Sequence, residues 1–114
     1  MSGRRLLIVE DEYLLAEDMR QALEAAGATV IGPVGTLARA IAMVDSVAGI
    51  DAAVLDINLA GEAVYPVAEK LLSRGVPFVF VTGYETDAIP KCFARVPVLE
   101  KPVDMIALIR MLGS

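Results

Sequence analysis

The sequence predicts one α/β domain built on a doubly wound, five-stranded parallel sheet with helices on both faces. Three observations carry this. Short apolar runs alternate with amphipathic stretches along the whole chain, the pattern of strands joined by crossover helices. The runs are continuously apolar, as strands buried on both faces are. The chain has 114 residues, 56% of them hydrophobic and 22% charged. That suffices for one core but not for two domains, at roughly 100–200 residues per domain.

The elements follow in order. Leu6, Leu7, Ile8 and Val9 form the first strand, which runs into Glu10, Asp11 and Glu12. Residues 13–26 read as a helix, with Leu15, Met19, Ala22, Leu23 and Ala26 on one stripe and Gly27 as its stop. Residues 29–32 are a second, weaker strand. Thr36 is the expected N-cap of a helix through Val47, with Leu37, Ala40, Ile41 and Val44 in register. Residues 52–55 are the third strand, ending in Asp56. Pro66 suits the first turn of a helix to Ser73, and Gly75 ends it. Residues 78–81 are wholly apolar and bulky, a fourth strand expected near the sheet centre. Residues 85–95 should hold a helix, short or irregular because Pro90 interrupts it. Residues 96–99 are the fifth strand, placed at an edge by Pro97. Residues 104–112 close the chain as a helix.

Composition excludes several functions. The chain has 10 Lys and Arg against 15 Asp and Glu, a net charge of −5. It has no basic run, so no nucleic-acid partner is expected. A single cysteine, Cys92, excludes a disulfide framework and a cysteine zinc site. It reads as an inert, semi-buried small residue. With no histidine, there is no Ser-His-Asp or Cys-His machinery and no histidine metal ligand. No apolar run is long enough to span a bilayer. The four apolar residues after Arg4 and Arg5 are too few for a signal-peptide core, so a cytoplasmic single domain without membrane contact is expected.

In open α/β sheets, ligands bind beyond the carboxyl ends of the strands. Here those ends carry Glu10 and Asp11, Asp56, Thr82 and Gly83, and Glu100, Lys101 and Pro102. If strands one, three and four are neighbours, three carboxylates converge beside a hydroxyl and an ammonium. Such carboxylates repel, and a hard divalent cation offsets that best. Oxygen ligands alone suit Mg²⁺. A carboxylate beside it can act as a nucleophile toward phosphorus. Thr82 and Lys101 then supply donors for the phosphoryl oxygens.

These residues resemble the receiver domain of bacterial two-component response regulators, and the likeness spans nearly the whole chain. It implies a flavodoxin-like sheet of strand order 2-1-3-4-5. It also implies Asp56 as phosphoacceptor, Asp11 as direct Mg²⁺ ligand, Glu10 as ligand through water, and Asn58 as ligand through its backbone carbonyl. Thr82 takes the hydroxyl position, and Lys101 the lysine before a cis-proline, Pro102. The run Pro77-Phe78-Val79-Phe80-Val81-Thr82-Gly83-Tyr84 is similar to the stand-alone "FAT GUY" receivers, found chiefly in alphaproteobacteria. The run from Asp56 to Glu62 followed by Tyr65-Pro66-Val67-Ala68 fits that subgroup too. The expected phosphodonor is a histidine kinase or phosphotransfer protein acting in trans. Output is then by protein contact or phosphorelay, and catalysis is limited to self-phosphorylation and autodephosphorylation.

Two departures stand out. Val98 occupies the position of the usual aromatic switch residue, so the usual rotamer coupling is absent and residues 83–95, with Tyr84, are the expected mobile switch. Ala60-Gly61 replaces a proline-bearing tail, and a more flexible loop is expected there. The last helix is apolar nearly all round, with Asp104 and Arg110 as its charges. It therefore invites a downstream partner or a second copy, together with the last strand. The alternatives are a constitutive interaction domain with a vestigial site and an aspartyl-phosphate phosphohydrolase. Asn58 stands against the second, which needs an acid at that position.

Overall fold

The computed structural model describes residues 1–83 and 89–113. The elements are β1 (Arg5–Val9), α1 (Tyr13–Ala25), β2 (Thr29–Val34), α2 (Leu37–Ser46), β3 (Ala52–Asp56), β4 (Asn58–Leu59), β5 (Glu62–Ala63), α3 (Tyr65–Ser73), β6 (Phe78–Thr82), β7 (Val98–Glu100) and α4 (Met105–Gly113). A 3₁₀ turn, Lys91–Phe93, precedes β7. The main sheet is parallel throughout, in the order β2-β1-β3-β6-β7. With the hairpin strands β4 and β5 set aside, that is the expected 2-1-3-4-5.

Side-chain alternation along the strands divides the core in two. Leu7, Val9, Ala53, Leu55, Phe78 and Phe80 face one side, packing against Val44 of α2 and Val67, Ala68 and Leu71 of α3. Leu6, Ile8, Ala52, Val54, Val79 and Val81 face the other, against Met19 and Leu23 of α1 and Leu108 and Leu112 of α4. Both faces of the three inner strands are dry, which explains why β1 after Arg5, and β3 and β6 before their carboxyl ends, carry no polar residue. At about 1.5–3 kcal/mol for each large side chain fully buried, these two layers dominate the stability of the fold.

Local signals place the ends. Thr36 caps α2 by accepting the Arg39 N–H at 3.2 Å. Asp104 lies just outside α4 and caps it, accepting the N–H of Ile106 at 2.9 Å and of Ala107 at 3.2 Å. Pro66 occupies the first turn of α3. Strand β2 runs two residues further than expected, through Pro33 to Val34, and its Gly32–Pro33 peptide bond is cis. β7 is the edge strand that Pro97 implied.

β6 lies beside the central strand β3, near the sheet centre as expected. It is fully buried, because helices cover both its faces. Other expectations need correction. Cys92 is exposed, since Phe93 fills the inward position of the 3₁₀ turn. In place of a flexible loop after β3, the chain forms the hairpin β4–β5. Of the helix expected over residues 85–95, the described part is the 3₁₀ turn. Tyr84 and residues 85–88 lie outside the described residues.

Phe93 is held by an aromatic group. It stacks on Tyr65 at 5.7 Å between centroids and meets Phe80 and Phe78 edge-on at 5.6 and 6.2 Å. Tyr65 follows the hairpin directly, so these rings join the start of α3 to the crossover before β7. Val98 pairs with Phe80 in the sheet and is half-buried.

Candidate functional site

The strand ends converge as the sequence implied. β1 delivers Glu10 and Asp11, its neighbour β3 delivers Asp56, β6 delivers Thr82, and the chain leaving β7 delivers Lys101. One carboxylate oxygen from each of Glu10, Asp11 and Asp56 lies within 4.8 Å of the others. Glu10 is 3% exposed, Asp56 4% and Thr82 2%, while Asp11 is open to solvent. Alternation along β1 explains the burial of Glu10. It follows β1 in the alternation of Leu6 and Ile8, on the inward-facing side.

Lys101 reaches across the group. Its Nζ donates to Asp56 Oδ2 at 2.9 Å and Glu12 Oε1 at 3.2 Å, and stands 3.6 Å from Glu10 Oε1. The Lys101 N–H donates to the Thr82 carbonyl at 2.9 Å, so the β6–β7 ladder itself carries the lysine to the site. The Lys101–Pro102 peptide bond is cis.

The hairpin closes the opposite wall. The Val64 N–H donates to the Ile57 carbonyl at 2.8 Å. Antiparallel alternation therefore turns the peptide groups of Asn58 away from its partner Ala63. The Asn58 N–H donates to Asp56 Oδ1 at 3.0 Å, and its carbonyl projects from the same side of the strand. Ala60 donates its N–H to Asp11 Oδ2 at 3.0 Å. A cleft of about 460 Å³ results, lined by Asp11, Glu12, Asp56, Asn58, Gly83 and Lys101 among others.

Electrostatics show what this cluster needs. Burial pushes the Glu10 carboxyl up to about 8. Asp56 adds to that by sharing a proton and by its charge, and the Glu12 N–H and Lys101 offset it only in part. Burial works to lower the Lys101 ammonium. The hydrogen bond and charge of Asp56, followed by Glu10 and Glu12, outweigh it and hold Lys101 above its ordinary value. Glu10 Oε1 is buried and accepts no hydrogen bond among the described residues. One lysine leaves this acid group short of positive charge, and the donors are all oxygens. The set fits a hard divalent cation.

Comparison with solved structures gives the same answer. The chain is 45% identical to SdrG from Sphingomonas melonis Fr1, over 99% of this chain and 97% of that one, with a TM-score of 0.84. The receiver domain protein (CheY-like) from Methanospirillum hungatei JF-1 is 26% identical over 98% of this chain and 92% of that one, with a TM-score of 0.85. The chain is a response regulator receiver domain. The BeF3-activated conformation of SdrG, from Pseudomonas melonis Fr1, matches this receiver at 44% identity over 99% and 97% of the two chains, with a TM-score of 0.78. No protein-family model and no curated protein sequence matches. Receivers are signalling domains rather than conventional enzymes.

Glu10, Asp11, Asp56, Asn58 and Lys101 come together at this receiver's site, and Thr82 ends the neighbouring strand β6, buried. Tyr84 lies outside the described residues, and Val98 lies in β7, three residues before Lys101. Two participants were missed. Glu12 pairs with Lys101, and its signal was the unbroken acidic run from Glu10 to Glu12. Ala60 binds Asp11 through its backbone, for which the sequence offers no side-chain signal.

Proposed function

We propose that this receiver accepts a phosphoryl group on Asp56 from a histidine kinase or phosphotransfer protein, in a Mg²⁺-dependent reaction, and signals as a cytoplasmic stand-alone domain. One observation carries the reading: Asp56, buried at the end of β3, has Lys101 on Oδ2 and an acid cluster within 4.8 Å. Asp11, Asp56 and the Asn58 carbonyl would hold Mg²⁺, with Glu10 acting through water. Bound there, the metal offsets the charge of the incoming phosphoryl oxygens.

The chain's own residues do the rest. Lys101 and the Asn58 N–H hold the Asp56 carboxylate at the mouth of the cleft. An Asp56 oxygen attacks phosphorus, the bond to the donor's imidazole nitrogen breaks, and the electron pair stays on that nitrogen. The Lys101 ammonium and the Thr82 hydroxyl then face the new phosphoryl oxygens. Attack of water on phosphorus breaks its bond to the Asp56 oxygen, releasing inorganic phosphate and the free carboxylate.

Val98 has no ring to follow that change, so Tyr84 and the crossover that bears Phe93 take the response. The face formed by β7 and α4 receives a downstream protein or a second copy. Ile106 and Met111 of α4 are exposed there, while Leu108 and Leu112 face the core. Among the described residues, no helix is long and apolar enough to cross a membrane.

Addition of BeF3⁻ with Mg²⁺ to the isotope-labelled protein tests the reading. Amide resonances near Asp11, Asp56, Thr82 and Lys101 should shift together, and Asp56→Asn should abolish the response. Shifts that survive in Asp56→Asn would place the acceptor elsewhere.

A further inference from the structure

The tip of the β4–β5 hairpin holds the one non-glycine residue with a positive φ among the described residues. Ala60 lies at +52°, followed by Gly61 at +93°. Two positive φ values in a two-residue connection make a type I′ turn, which favours asparagine, aspartate or glycine first. Alanine is a disfavoured occupant, because its Cβ crowds the backbone in the left-handed region. Gly61 is constrained by conformation alone, since a Cβ there would meet nothing within 4 Å.

The turn spends that strain on one long-range contact. Its left-handed backbone aims the Ala60 N–H at Asp11 Oδ2, 49 residues away in sequence and 3.0 Å distant. Two further bonds stiffen the hairpin. Gly61 donates to Asn58 Oδ1 at 2.7 Å, and Asn58 donates to Asp56 Oδ1 at 3.0 Å. Asp11 is solvent-exposed at the start of the β1–α1 connection. A short exposed side chain of this kind has several rotamers open to it. The Ala60 bond selects one.

We propose that the left-handed turn at Ala60 is a positioning element for the cation site. Its N–H holds the Asp11 carboxylate where it completes the group with Glu10 and Asp56. The proposal rests on the reading of that group as a Mg²⁺ site. Because the same Asp11 carboxylate serves the turn and the cation, the two are linked reciprocally. Mg²⁺ alters the environment of the Ala60 amide, and the geometry of the turn alters the affinity for Mg²⁺.

The test is a Mg²⁺ titration of the ¹⁵N-labelled full chain, without phosphodonor. In the wild type, the Ala60 amide should be among the resonances most displaced. Ala60→Gly and Ala60→Asn keep both the N–H and a tolerated left-handed backbone, so they should bind Mg²⁺ within about twofold of wild type. Ala60→Pro has no N–H and cannot adopt the turn, and should bind about tenfold more weakly, the loss usual when a group that orients a ligand is removed. Wild-type affinity in Ala60→Pro would overturn the proposal. So would hairpin amides that stay put while those near Asp11 and Asp56 move, whatever the fate of the proline variant. No Mg²⁺ response anywhere in the wild type would overturn the metal reading itself and the proposal with it.

Discussion

Glu10 makes the metal-free protein lose stability as pH rises through neutrality. Its folded carboxyl titrates at about 8 against an ordinary 4.5, chiefly through burial. Between those values the folded state holds a proton that the unfolded chain has released, so stability falls as pH climbs. The contribution is fully present below pH 4.5 and is lost as pH passes through about 8. At 1.36 kcal/mol per pH unit, the interval caps the effect at about 5 kcal/mol. No histidine titrates in that window, because the chain has none. Asp45, held below its ordinary range by its hydrogen bond to Lys70, acts only in acid. Urea denaturation in chelator at pH 5, 6, 7 and 8 should give a falling midpoint, and Glu10→Gln should flatten the fall. Mg²⁺ should reverse it, since the metal takes the place of the proton. A midpoint that rises from pH 5 to 8, or an unchanged slope in Glu10→Gln, would show that Glu10 does not hold this proton.

Further perturbations give separate readouts. Lys101→Met removes the one cation shared by Asp56, Glu10 and Glu12. It should cost about 1–3 kcal/mol in chemical denaturation without metal, because the buried carboxylates are left uncompensated. Asp11→Asn keeps an acceptor for the Ala60 N–H while removing a charge from the cluster. It should weaken Mg²⁺ binding yet raise metal-free stability by about 0.5 kcal/mol, visible as a higher melting temperature in chelator. Phe93→Ala empties the centre of the aromatic group and should cost about 3–5 kcal/mol in denaturant melts. Amide exchange in residues 89–95 should accelerate with it.

What the sequence made legible follows from physics it carries locally. The apolar runs marked β1, β3 and β6 because both faces of a parallel sheet are dry. The polar residues that end them became the site because parallel strands all point one way. Asp56 and Lys101 were therefore readable from their positions after strands. Glu10 was readable as an acid but not as a buried one. Its burial depends on the neighbours that the fold brings around it, Asp56 and Lys101 among them, a tertiary fact. The hairpin left no trace either. With two residues in each strand, β4 and β5 are too short for alternation to show, and Ala60-Gly61 is not the usual turn pair. Its hold on Asp11 runs through a backbone N–H, which every residue but proline possesses. Cys92 was misplaced because a 3₁₀ turn, unlike the longer helix expected, buries a single side chain, and Phe93 takes that place.

The central claim is that this geometry makes Asp56 a Mg²⁺-dependent phosphoryl acceptor. Intact-mass analysis after incubation with acetyl phosphate tests it most directly, in Mg²⁺ and in chelator, with wild type and Asp56→Asn. Wild type with Mg²⁺ should gain one phosphoryl group, with little gain in chelator and none in Asp56→Asn. A gain that persists in Asp56→Asn, or no gain in wild type with Mg²⁺, would contradict it.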